Sequence, residues 1–130
     1  MAKIVCKILG LLFFVIGILG FVMGEDAHGY HALVHLATGL IATYFGFAGS
    51  VSSARLVCLA LGVFYLVVLG IPGLVSWLTG SPLMVHVWNP GPLDLDVGAH
   101  GFHMVVGAIL LAASLFGRGD RRLKRFRLPE

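Results

Sequence analysis

Four apolar stretches organise the chain, near residues 7–24, 31–48, 56–76 and 97–116. Each is long enough to cross about 30 Å of hydrocarbon as a helix rising about 1.5 Å per residue. Backbone amides in lipid must be satisfied within their own segment, so the pattern predicts helices rather than open strands. Polar breaks separate the stretches. The first carries Glu25 and Asp26 between Gly24 and Gly29, and Asp26 is the expected N-cap of the second helix, an acid at the positive end of its dipole. Gly49-Ser-Val-Ser-Ser53 forms the second break. The third is longer and holds Trp77, Pro82, His86, Trp88, Asn89-Pro-Gly-Pro92 and Asp94; its tryptophans suit a membrane interface, where Leu83–Trp88 is expected to lie. Pro72, in Gly70-Ile-Pro-Gly73, is expected to kink or end the third helix.

The pattern occurs twice. Lys3-Ile-Val-Cys-Lys-Ile-Leu-Gly10 returns as Arg55-Leu-Val-Cys-Leu-Ala-Leu-Gly62, an offset of 52 from Cys6 to Cys58. His35-Leu-Ala-Thr-Gly39 is echoed by His103-Met-Val-Val-Gly107, an offset of 68, with Asp26 answering Asp94. Repeat 1 covers 3–48 and repeat 2 covers 55–116, each a hydrophobic hairpin. Two hairpins of even span count share one orientation, so the repeats are expected to be parallel, related by a pseudo-two-fold axis along the membrane normal. Glycines within the spans allow close helix approach in lipid. The expected fold is all-α: one integral-membrane domain, a four-transmembrane-helix bundle.

Composition supports this reading. Hydrophobic residues make up 58% of the 130 residues and charged ones 12%, against roughly 25% charged in soluble domains. A soluble core of this size could not bury so much apolar surface. The nine Lys and Arg (Lys3, Lys7, Arg55, Arg118, Arg121, Arg122, Lys124, Arg125, Arg127) all flank one side of a four-span hairpin, and the other side carries acids. The positive-inside rule then places both termini in the cytoplasm. The tail 117–130 is expected to anchor on anionic headgroups through Arg118, Arg121, Arg122, Lys124, Arg125 and Arg127, each worth about 1 kcal/mol. The basic balance is thus a topology signal and implies no nucleic-acid partner. The first span reads as a retained helix rather than a signal peptide, because its repeat mate lies mid-chain.

Cys6 and Cys58 occupy equivalent positions and are expected to pack the first helix against the third as small apolar groups. A metal or redox pair is the alternative, and a disulfide is disfavoured in a reducing compartment. The six histidines all fall at the opposite end. His28 and His86 lie in breaks. His31 and His35 share a face of the second helix, and His100 and His103 share a face of the fourth.

His35 and His103 are repeat mates at matching depth. Ionisable groups so placed usually face the bundle interior with a partner. Three readings stand. The rings are neutral structural groups bonded to a carbonyl, Thr38, Tyr30 or each other. Alternatively they are ligands of haem b or a transition metal, with His31 and His100 as further ligands or orienting groups; a chlorophyll-type magnesium is a minor variant. Or the four relay protons, although the apolar remainder of the first and third helices offers no continuation. No nucleophile–base set, phosphate loop or carboxylate pair is present, so an enzyme is not expected.

The stretch His31-Ala-Leu-Val-His-Leu-Ala-Thr-Gly39, with the echo Asp96-Val-Gly-Ala-His-Gly-Phe-His-Met-Val-Val-Gly107, resembles the bacterial membrane family called domain of unknown function 4383. The resemblance covers most of 3–116 and implies four spans, a duplicated hairpin and histidines as a shared trait, with no activity attached. The long Trp- and Pro-containing break and His100 depart from that pattern. The expected role is a non-catalytic accessory or assembly subunit, packed against other membrane subunits or against itself. The alternative is a haem- or metal-binding redox protein using His35 and His103.

Overall fold

The computed structural model describes residues 1–24, 29–79 and 97–116, and nearly all of them are helical. Helix α1 spans Ala2–Met23, α2 Tyr30–Phe47, α3 Val51–Thr79 and α4 Val97–Phe116. Helices α1, α3 and α4 are long and apolar enough to cross a membrane. Helix α2 has 18 residues, but His31, His35, Thr38 and Thr43 lower its hydropathy. The expected interfacial segment 83–88, His28, His86, the acids of the breaks and the basic tail from Arg118 to Arg127 lie outside the described residues.

Local chemistry sets the helix ends. Gly24, at φ 66°, closes α1 with its N–H on the Gly20 carbonyl, a left-handed cap that favours glycine. The cap of α2 is Gly29, also at φ 66°, and not Asp26 as the sequence suggested; the helix starts three residues later than an Asp26 cap requires. Ser50 caps α3 by accepting the Ser53 N–H at 3.0 Å.

Helix α1 packs chiefly on α2, and α3 on α4, so each repeat forms its own hairpin. The interior mixes small and polar residues, among them Ala2, Cys6, His35, Thr38, Ala42, Ala54, Cys58 and His103, with a few large apolar ones, Leu9, Phe13, Tyr65, Leu69 and Leu110. Large side chains such as Ile4, Ile8, Val15, Leu33, Leu40, Leu56 and Val105 point outward. Such an apolar outer face suits lipid, where close approach rather than hydrophobic drive joins helices. Repeat mates show it: a Cβ at Gly39 would lie 2.5 Å from the Phe14 nitrogen, and one at Gly107 2.5 Å from the Leu66 nitrogen.

The two repeats superpose in register until the middle of α3. Cys6, Gly10 and Phe13 answer Cys58, Gly62 and Tyr65 at an offset of 52, and all six are buried. Beyond that point Gly17 meets Leu36 while Gly70 meets Met104, so the offset of the first and third helices becomes 53 where that of the second and fourth stays 68. Buried Gly20 likewise answers buried Gly73. Between the two registers lies a π-helical segment, Phe64–Gly70, closed by the Ile71 N–H on the Leu66 carbonyl. A π segment absorbs one extra residue without ending the helix. The insertion therefore leaves the glycine face of α3 turned toward α4. Pro72 follows at once, and α3 runs past it to Thr79 instead of ending there.

Candidate metal centre

Hairpin geometry brings the repeat-related rings to one level. Phe13 of α1 and Tyr65 of α3 stack at 5.1 Å between centroids with planes 7° apart. Each carries the histidine of its own hairpin: Phe13 to His35 is 5.1 Å and Tyr65 to His103 is 5.2 Å. His35 and His103 face each other across the layer at 6.0 Å. Both are buried, at 5% and 1% exposure.

Two features break the symmetry. The Tyr65 hydroxyl donates to Thr38 Oγ1 at 3.1 Å, a bond that Phe13 and Val106, its repeat equivalents, lack the atoms to make. His31 also joins one side only, since its mate is Ala99. One turn before His35 on the same face, His31 places Nε2 2.9 Å from His35 Nε2. Its ring lies 6.0 Å from that of His103. One nitrogen from each of His31, His35 and His103 falls within 4.8 Å of the other two.

His100 does not enter this cluster. It is buried on the α3 side, where Nδ1 donates to the Leu69 carbonyl at the end of the π segment. It also lines a cleft of about 200 Å³ with Gly73, Leu74, Trp77, Gly101 and Met104. Of the four histidines singled out in the sequence, three therefore converge and one serves the α3–α4 contact. Phe13 and Tyr65 were not singled out, and Thr38, expected as a histidine partner, accepts from Tyr65 instead. The 52-residue offset pairing Phe13 with Tyr65 was the available signal.

The chemistry of the cluster is that of lone pairs. His35 Nδ1 and His103 Nδ1 are buried with no hydrogen-bond partner. Leaving such atoms unpaired costs about 1–3 kcal/mol each. Neutral imidazoles are good ligands for zinc, copper, iron and nickel. Bonds of about 2.0–2.1 Å in a tetrahedron place ligand nitrogens roughly 3.4 Å apart. The spacings here, from 2.9 Å to at most 4.8 Å, bracket that value, so small side-chain rotations suffice to close the set.

At the other end of the bundle Cys6 and Cys58 meet, both with 0% exposure and their sulfurs 3.3 Å apart. They pack α1 on α3, as their repeat positions suggested.

No family model, curated protein or solved structure matches this chain.

Proposed function

We propose that the chain is an integral membrane protein of four spans, with both termini on the cytoplasmic side of a bacterial inner membrane, that holds one transition-metal ion through His31, His35 and His103. The observation that carries the reading is the convergence of three imidazoles from two helices, with His35 Nδ1 and His103 Nδ1 unpartnered in a buried layer. His31 and His35, four apart, act as a chelating pair on α2, and His103 closes the site from α4. Three nitrogens leave one tetrahedral position for water or an exchangeable ligand, as in catalytic and transport-type sites rather than closed structural ones. His31 is the least buried of the three and gives the site its access.

Helix α2 completes the membrane bundle because its polar groups turn inward: His35 and Thr38 are buried while Leu33, Leu40 and Ile41 face out. A bare ion suits the layer better than haem b. Phe13 and Tyr65 stack on the two facing histidines and on each other, in the space a flat macrocycle requires. Kinship with the family called domain of unknown function 4383, carried by the His31–Gly39 stretch, belongs to the same proposal.

Elemental analysis of the detergent-purified protein tests the reading. About one equivalent of a first-row metal is expected, lost in His35→Ala and His103→Ala, weakened in His31→Ala and retained in His86→Ala. A visible spectrum before and after dithionite separates the alternatives, because a Soret band shifting on reduction would replace the ion with haem. Equal metal content in wild type and all histidine variants would refute the site.

A further inference from the structure

We infer that Cys6 and Cys58 form a second metal site, a two-coordinate thiolate clamp for a soft monovalent cation of the copper(I) type. It is independent of the histidine cluster. The two cysteines are repeat mates on neighbouring helices, and their sulfurs meet at 3.3 Å across the pseudo-two-fold axis. Each thiol lies near one carbonyl of the opposite helix, Cys6 Sγ 3.6 Å from Ala54 O and Cys58 Sγ 3.7 Å from Ala2 O. Ala54 and Ala2 are themselves repeat mates, one turn before each cysteine. The two sulfurs thus have equivalent carbonyl neighbours.

The dimensions suit a linear ion. Two metal–sulfur bonds of about 2.2–2.3 Å require sulfurs roughly 4.5 Å apart, about 1 Å more than the present gap. A rotation of both side chains, each beside an alanine carbonyl of the opposite helix, supplies that opening. Soft thiolates select copper(I) among the abundant biological metals. A tetrahedral ion is disfavoured, because no further His, Cys, Asp or Glu joins the pair among the described residues.

The charge balances. Binding releases both thiol protons, and one monovalent cation between two thiolates leaves a net charge of −1. Lys3 and Arg55, repeat mates three residues before each cysteine, stand on the same helices to offset it. Their present contacts are with backbone carbonyls, Lys3 Nζ to Phe47 O at 3.4 Å and Arg55 Nε to Ser114 O at 2.9 Å, which leaves further N–H donors available. Helix α1 begins at Ala2, one turn before Cys6, and α3 at Val51, about two turns before Cys58, so the sulfurs lie about 6–10 Å from that end of the bundle.

Silver(I), a redox-inert stand-in for copper(I), is the probe. The full chain in detergent, reduced, anaerobic and chloride-free, is titrated while its near-ultraviolet absorbance and native mass are followed. The expected result is a sulfur-to-metal charge-transfer band saturating at one equivalent. Cys6→Ser and Cys58→Ser, nearly isosteric, are each expected to weaken binding by more than about 100-fold, beyond the loss typical of an outer-shell partner. Their circular dichroism should stay helical. His35→Gln should leave the sulfur band intact, so failure of the histidine site and failure of this one are distinguishable. Absence of the band in folded wild type, its survival in either serine variant, or isolation of the protein with the two sulfurs joined as a disulfide would each overturn the proposal.

Discussion

Gly101→Ala and Gly107→Ala add the same methyl group to one helix six residues apart, and the structure gives the two changes opposite signs. At Gly101 nothing lies within 4 Å of an added Cβ. The substitution there only improves helix propensity, worth up to about 1 kcal/mol. At Gly107 the Cβ would lie 2.5 Å from the Leu66 nitrogen and 2.8 Å from its Cα. Ordinary contact begins near 3.4 Å, so α4 must withdraw from the α3 backbone by about 0.9 Å. Overpacking of that kind costs about 1–3 kcal/mol, which exceeds the propensity gain. The net expectation is a loss of up to about 2 kcal/mol at Gly107 and a gain of up to about 1 kcal/mol at Gly101. His103 sits one turn before Gly107, so the same withdrawal should loosen the metal site. Reversible unfolding in mixed micelles, followed by far-ultraviolet circular dichroism, measures the first effect, and metal content measures the second. Two variants that shift stability in the same direction would refute the close α3–α4 approach.

Tyr65→Phe removes a buried hydrogen bond to Thr38 Oγ1 and should cost about 0.5–1.5 kcal/mol; Thr38→Val should cost a similar amount, and the double variant no more than either, as a double-mutant cycle would show. Deleting Val67, an exposed residue of the π segment, should restore the 52-residue offset and yield a folded protein with regular α-helix there. Deleting Val57, in regular helix, should turn the Tyr65–Gly73 face away from α4 and abolish folding; equal circular dichroism for both deletions would count against the inserted-residue account. Metal occupancy of the histidine site should fall as pH drops, because imidazole binds metal only when unprotonated and protons compete for the same nitrogens. Occupancy that rises on acidification, measured by elemental analysis after equilibrium dialysis, would exclude imidazole ligation.

The candidate site was legible in part. The repeat offset alone marked His35 and His103 as mates at one depth, and their rings do face each other. Helical periodicity alone paired His31 with His35, since residues four apart share a face whatever surrounds the helix. The same periodicity paired His100 with His103 equally well, and nothing along the chain distinguishes the two pairs. Phe13 and Tyr65 looked like two more aromatic residues in apolar runs.

What the chain determined by itself was therefore local or repeated: the four helices, the lipid compatibility of three of them, the duplication, and the levels of the histidines and cysteines. These follow from apolar periodicity, backbone satisfaction in lipid and identical spacing in two copies. Tertiary structure decided which groups meet. Each residue turns a helix by about 100°, so the orientation of one helix toward another is fixed only when small residues let the backbones touch. The extra residue hidden in Phe64–Gly70, an unbroken apolar run with no polar marker, became a π segment because packing of Gly70 and Gly73 on α4 required it. The Leu69 carbonyl at its end receives His100, and His103 is left to meet His31 and His35.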